Sequence, residues 1–219
     1  MSARVGTPPP APDPALAGYA YAHGDATAAH AYLLPTLLHL LEDTGSRHLF
    51  EIGCGNGWVA NELTRRGFEV RGIDPSAEGI AFAQANFPQL DLAQASAYDD
   101  LAAHYGRFPV VYSLEVVEHL FDPRQFMRRA RDLLAPGGRL ILSTPFHGYW
   151  KNLALALSGR MDRHWDPLWD GGHIKFWSEA SLGRLISEAG FEDIRFYRVG
   201  RVPVLAKSLF ATARHRRGN

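Results

Sequence analysis

The sequence predicts an α/β fold built around one mostly parallel β-sheet, and three observations carry that prediction. Short apolar runs at residues 49–52, 69–73, 109–113 and 139–143 have the length of buried strands, and segments with helical spacing alternate with them. Three alternating glycines, Gly53, Gly55 and Gly57, join the first run to its helix. Strand–helix alternation of this kind requires crossovers that cover both faces of a parallel sheet. At 219 residues and 46% hydrophobic content, the chain can bury the core of one sizeable domain with short additions.

Residues 1–18 contain five prolines and almost no large apolar side chain, which predicts a disordered tail. A single domain is expected from 19 to 213, with a short basic tail at 214–219. Between 18 and 43, Leu33, Leu34, Leu37, Leu38 and Leu41 recur at helical spacing, with Pro35 marking a kink or a helix start. Residues 49–52 read as a buried strand, 53–57 as a tight loop and 58–66 as the helix packed back on it. A second strand, 69–73, ends at Asp74, and a helix follows over 78–87. A strand at 91–94 leads into the loop ASAYDD and another short helix. After the strand at 109–113, Asp122 and Pro123 read as an N-cap and first-turn proline of a helix reaching Leu134. The arginines of that helix, Arg124, Arg128, Arg129 and Arg131, are most simply its solvated face. Pro136-Gly137-Gly138 then turns the chain into the strand at 139–143.

Residues 144–173 interrupt the alternation. They hold Tyr149, Trp150, Trp165 and Trp169 with His147, His164 and His173. Aromatics placed beyond the carboxyl ends of the strands suit a lid over an organic substrate; a hydrophobic cap over the cofactor alone, or a subunit contact, is the competing reading. Ser178 caps a helix to Ala189, Gly190 ends it, and two closing strands are expected at 193–199 and 204–213.

The loop chemistry narrows the ligand. A dinucleotide site needs the spacing G-x-G-x-x-G with a pyrophosphate on the helix N-terminus. Here the pattern is E-x-G-x-G-x-G and a bulky Trp58 follows the third glycine. Glu51 places a carboxylate where phosphates would be repelled and an ammonium welcomed. Asp74, one strand later, suits two hydrogen bonds from ribose hydroxyls. An amino-acid ammonium and a ribose together describe S-adenosylmethionine.

With EIGCGNG, GIDPS, VVYSLEVVEHLFDP and LLAPGGRLILSTP in this order, the chain from about 49 to 213 resembles the class I S-adenosylmethionine-dependent methyltransferases. EVVEH with the later GGHIKFWS is similar, more narrowly, to the branch holding the ubiquinone-biosynthesis O-methyltransferases. The resemblance implies a Rossmann-like fold: a seven-stranded, mostly parallel sheet with an antiparallel last strand, a helical N-terminal addition and the lid insertion. It implies cofactor contacts from Glu51, Gly53, Cys54, Gly55, Gly57, Asp74, Pro75, Ser96, Ala97 and Leu114, with Leu114 and Ile73 or Pro75 flanking the adenine. Tyr19, Tyr21 and Tyr32 precede or open the N-terminal helix, which in this fold lies over the cofactor cleft; for any one of them, packing on the core is the simpler reading. The chain departs from the pattern at Ser96 and Ala97, where relatives commonly carry Asp against the adenine amino group, and at Pro109, where Asp is often seen.

For chemistry, Glu115, Glu118 and His119 would share one face if a helical turn begins after Ser113. Two carboxylates so close are costly unless a cation lies between them. The small-RNA 2′-O-methyltransferases resemble the chain here, with an ExxEH motif, a downstream His and bound magnesium. Carried over by position, the metal ligands would be Glu115, Glu118, His119 and His173, holding Mg2+, or else Mn2+ or Zn2+. In the alternative, Glu115 caps backbone amides and Glu118 pairs with His119. His119, His147 or His173 would then be the catalytic base.

Lys+Arg and Asp+Glu both total 23, so there is no global field for nucleic acid or an anionic membrane, and a small-molecule acceptor is expected. The single Cys54 excludes an internal disulfide and gives no zinc signature. No apolar run approaches the ~18 residues of a span, and no signal pattern opens the chain, which predicts a cytoplasmic protein, monomeric or homodimeric. The expected activity is methylation of a phenolic, catechol or diol-like oxygen. Transfer to N or C of a natural product, sugar or amine without metal, RNA 2′-O-methylation, and a non-catalytic cofactor-binding subunit are the alternatives.

Overall fold

The computed structural model describes residues 29–161, 168 and 171–216. The N-terminal helix α1 (His30–Glu42) packs Leu33, Leu34, Leu37, Leu40 and Leu41 into the core, and Pro35 lies inside it rather than at its start. Strand β1 (His48–Ile52) leads through the glycine loop to α2 (Trp58–Thr64). Then come β2 (Glu69–Asp74), α3 (Ala77–Asn86), β3 (Asp91–Gln94), α4 (Leu101–Tyr105) and β4 (Phe108–Leu114). A 3₁₀ turn (Val117–His119) separates β4 from α5 (Pro123–Leu133), which runs directly into β5 (Leu134–Pro145). After α6 (Tyr149–Leu157) come α7 (Glu179–Glu188), β6 (Phe191–Val199), a 3₁₀ turn (Pro203–Leu205) and β7 (Ser208–His215). Asp122 caps α5 by accepting the Gln125 amide at 2.9 Å, and Ser178 and Ser181 cap α7 reciprocally.

The seven strands lie in the order β3-β2-β1-β4-β5-β7-β6. Pairings among β1 to β5 are parallel; β7 is antiparallel to both β5 and β6. One core cluster, around Phe126, Leu133, Leu140, Leu182 and Ile186, covers one face; the other, around the α1 leucines, Leu63, Tyr112 and Phe210, covers the opposite face. This is the sheet the sequence predicts, with shifted edges. The LAPGG segment is strand from its first residue, because Leu134 pairs with Phe108 before an irregularity restarts the register at Arg139. The closing strands begin at Phe191 and Ser208, not at 193 and 204, and Pro203–Leu205 forms a turn. The tail at 1–18, Tyr19, Tyr21, His164, Trp165, Trp169 and residues 217–219 lie outside the described residues.

Candidate active site

The strand order reverses between β1 and β4, the position where parallel α/β sheets open a crevice beyond their carboxyl ends. The residues singled out in the sequence gather around it: Glu51 and the glycine loop at the end of β1, Asp74 at the end of β2, and residues 115–119 after β4. The glycine loop's amides turn inward: Gly53 and Cys54 donate to the Ile73 carbonyl at 2.7 and 2.9 Å, and Gly55 donates to Asp74 Oδ2 at 2.8 Å. Asp74 Oδ1 accepts the Ser76 amide at 2.9 Å. With these donors spent on β2, the loop offers little to a phosphate, in keeping with its sequence spacing.

Two of the glycines serve packing. A Cβ on Gly53 would meet Val116 Cγ2 at 2.4 Å, and one on Gly57 would meet Leu92 Cδ1 at 2.9 Å and the Ala83 methyl at 3.0 Å; both residues have positive φ. The close approach that demands glycine there is by the protein's own side chains, Val116, Leu92 and Ala83. Glu51 is 2% exposed, and its Oε2 has no hydrogen-bond partner. Burial pushes its pKa up to about 8, opposed by the Tyr112 hydroxyl and reinforced by Asp74. Asp74 is raised by the same burial and held down by its two amide donors. Cys54 is buried, with its thiol pushed up by burial and both carboxylates.

Ile73 is fully buried in the core and cannot flank a base, whereas Pro75 and Leu114 remain partly exposed. The Ser96 hydroxyl accepts the Tyr98 amide at 3.2 Å, and the Ser96 amide donates to Asp99 Oδ2 at 2.8 Å. Ser96 is therefore engaged in its own turn, and Ala97 is buried beside it.

The EVVEH segment is not the helix assumed from its spacing. Glu115 takes a left-handed conformation with φ 53°, and only Val117–His119 form a 3₁₀ turn. Glu115 consequently places no oxygen in the group that Glu118 forms with the histidines, although its charge still acts on Glu118. Its amide bonds the Ser143 carbonyl and hydroxyl at 3.1 Å, and its Oε1 accepts the Ser143 Oγ–H at 2.7 Å. Burial raises its pKa to about 7 against the hydroxyls of Ser143 and Ser208.

Glu118, His119 and His173 do converge, with one ligand atom from each lying within 4.8 Å of the others. Among the described residues this is a three-ligand group without Glu115. His119 Nδ1 faces the Gly171 and Gly172 carbonyls at 2.8 and 3.1 Å, which makes it the protonated nitrogen and leaves Nε2 as a lone pair 3.8 Å from Glu118 Oε1. The Ile174 and Lys175 amides bond the Glu118 carbonyl at 3.0 and 2.9 Å, which brings His173 alongside, with its ring 4.9 Å from that of His119. Glu118 is 1% exposed, and neither carboxylate oxygen has a hydrogen-bond partner; the Thr144 hydroxyl also makes none. Burial, then Glu115, pushes the Glu118 carboxyl well up, and burial pushes His119 down. His147 is buried outside this group, its ring 5.0 Å from that of Phe176. Sequence reasoning missed Trp58 as a contact: its indole stacks on His30 at 4.5 Å, tying α1 to the loop. Two aromatic rings at opposite ends of a 28-residue gap give no periodic signal.

A switch-point crevice with an acid-lined glycine loop on such a sheet defines the class I methyltransferase architecture. A family model described as "Methyltransferase domain" matches residues 22–195, and the chain belongs to that family. Among curated proteins it is similar to "Ubiquinone biosynthesis O-methyltransferase" of Azorhizobium caulinodans, 36% identical over 149 residues (66% of this chain, 58% of the relative). The protein of the same name from Cereibacter sphaeroides (strain ATCC 17025 / ATH 2.4.3) is 34% identical over 150 residues (67% of this chain, 60% of the relative). The chain thus spans less than two thirds of these relatives' length. In fold it is similar to an "S-adenosylmethionine dependent methyltransferase" from Mesorhizobium loti (TM-score 0.63, 19% identity, 82% of this chain and 96% of that one). The methyltransferase domain of "bacterial-CtHen1-CN" gives TM-score 0.63 at 19% identity, covering 83% and 96%. No described helix is long and apolar enough to cross a membrane.

Proposed function

We propose that the chain transfers a methyl group from S-adenosylmethionine to a hydroxyl oxygen of a small phenolic, catechol or diol-like acceptor, with a divalent cation at Glu118, His119 and His173. The carrying observation is the fully buried Glu118 carboxylate: both oxygens lack hydrogen-bond partners, and two imidazoles face it. A buried carboxylate without donors is costly, and a cation is the partner this donor set accepts. Mixed oxygen and nitrogen ligands suit Mg2+ or Mn2+, with Zn2+ as a further fit. The names of the curated relatives point to O-methylation as well.

The cofactor fits the loop on similar grounds. Glu51 Oε2 is a buried acceptor lacking a donor, and an ammonium would supply one. Asp74 spends one lone pair of each oxygen on an amide and retains others for ribose hydroxyls. Glu51 would hold the amino-acid portion and Asp74 the ribose, while Pro75 and Leu114 would border the adenine. When bound, the cofactor supplies a methyl group on a cationic sulfur that needs no acid catalyst. The protein's task is then positioning and exclusion of water, and activation of the acceptor hydroxyl. Glu118, His119 and His173 would hold a divalent cation, which would lower that hydroxyl's pKa; without a cation, His119 Nε2 would take the proton.

Elemental analysis of untagged protein, with calorimetric S-adenosylmethionine titrations and a catechol acceptor assay, tests this. One divalent ion per chain is expected, lost in His173→Ala with cofactor affinity retained and turnover reduced at least ~100-fold. Protein that takes up no Mg2+, Mn2+ or Zn2+ and still methylates catechols would overturn the cation. Methylation of amine or carbon acceptors alone would overturn the O-acceptor.

A further inference from the structure

A cavity of about 360 Å³ opens on the α1 face of the sheet, near the end of α1 and away from the strands' carboxyl ends. Arg139, Asp193, Arg195, Tyr197 and Arg214 line it from β5, β6 and β7, and Asp43 joins them from the end of α1. The sheet register explains the clustering. Arg139 pairs directly with Arg214 across β5 and β7, and Arg195 pairs with Thr212 one alternation away on β7. Side chains in direct register stand about 5 Å apart at Cβ and diagonal ones about 7–8 Å, so Arg139 and Arg214 are immediate neighbours, Arg195 lies diagonal to Arg214, and all three share a single face of the sheet.

Like charges directly opposite one another in a sheet are destabilising unless something neutralises them. The local acids do so only in part. Arg214 Nε lies 3.9 Å from Asp193 Oδ2, at the edge of an ion pair, and among the described residues the guanidinium groups of Arg139 and Arg195 form no ion pair or hydrogen bond. Elsewhere on the surface, Arg124 and Arg198 reach Glu188 and Glu179 at 2.9 and 2.7 Å. Three guanidiniums against Asp43 and Asp193 leave the cavity one positive charge in excess. It is also concave, which a merely solvated strand face is not.

We propose that this cavity binds a small anion through a phosphate group, held by Arg139, Arg195 and Arg214. Guanidinium forks match the oxygens of phosphate in pairs, and three forks need more acceptors than the two oxygens of a carboxylate provide. The volume is in the range of small-molecule sites and exceeds a bare phosphate ion, so the remainder of a phosphate ester fits beside the Tyr197 ring. The site is separate from the crevice at the strands' carboxyl ends and stands whether or not the acceptor assignment does.

The test is calorimetry at constant ionic strength in chloride, with inorganic phosphate, glucose 6-phosphate and glucose as probes. Saturable binding of phosphate or of the ester is expected, with none of glucose. Tighter binding of the ester assigns a phosphorylated metabolite; equal or tighter binding of phosphate assigns the free ion. Arg139→Gln and, separately, the exposed Arg195→Gln should weaken binding about tenfold or more. Arg184→Gln, an exposed arginine on α7, should leave it unchanged, and S-adenosylmethionine affinity should be the same in all three. Absence of phosphate heats beyond those of chloride, or an equal loss in Arg184→Gln, would overturn the site.

Discussion

Protonation of Glu51 would tie the fold to the proposed binding of S-adenosylmethionine. Its carboxyl would ionise near 4.5 in the unfolded chain but at about 8 in the folded one. Between those values the folded state binds the extra proton, so stability falls as pH rises through the window and the penalty is complete above about 8. At pH 7 the free protein therefore carries a neutral Glu51. An ammonium placed against Oε2 favours the carboxylate and drives that proton off. Titrations of S-adenosylmethionine at pH 7 in buffers of different ionisation enthalpy should report release of a substantial fraction of one proton, and Glu51→Gln should abolish the buffer dependence and weaken binding about tenfold. Buffer-independent heats in the unsubstituted protein would remove Glu51 from the ammonium site. This carboxylate was legible in the sequence because it ends an apolar run before the glycines. Its unmet hydrogen-bonding capacity was not, since that depends on Tyr112 and Asp74 arriving from other strands.

Among the elements, the loop between β1 and α2 shows why spacing gave the motif but not all of its cause. Gly57 needs positive φ, which the pattern suggests, and it also needs bare space against Leu92 and Ala83, which only the packed sheet reveals. Gly67 has a similar φ of 82° and nothing near its Cβ position. Gly57→Ala should therefore cost about 2–4 kcal/mol, combining left-handed strain with overpacking, against about 1 kcal/mol for Gly67→Ala. Denaturant unfolding of the two variants measures the difference, and equal losses would show that backbone strain alone accounts for Gly57. The EVVEH segment shows the opposite outcome. Helical spacing brought Glu118 and His119 together on paper and did so in the structure through a tighter turn, but the left-handed Glu115 was invisible because its reason is a hydroxyl on another strand, Ser143. His173 could be placed with them only by resemblance, because backbone hydrogen bonds from residues 174 and 175 to Glu118 have no sequence periodicity.

Across the whole molecule, burial is unevenly distributed between helices, and that distribution bears on whether the crevice closes. Helix α5 buries Phe126, Met127, Ala130 and Leu133 against the sheet, whereas α6, opening the segment after β5, buries none of its residues. Tyr149 and Trp150 are 72% and 62% exposed, although aromatic side chains of that size usually find cover. Its first-turn Lys151 is nonetheless anchored to the Phe146 carbonyl at 3.0 Å, and its charge acts on the buried Glu115, which in turn acts on Glu118. The helix is thus tethered at the crevice and poorly packed elsewhere, which places it at the low-stability end of the fold, where lids are drawn from. Amide hydrogen exchange of the free protein should show α6 exchanging at least ~100-fold faster than the centre of α5, consistent with local opening. Addition of S-adenosylmethionine with a catechol should slow exchange across α6 while leaving α5 unchanged. Protection of α6 equal to that of α5 in the free protein would mean that the helix is already a fixed wall, and the aromatic segment would then shape the acceptor's entrance without closing over it.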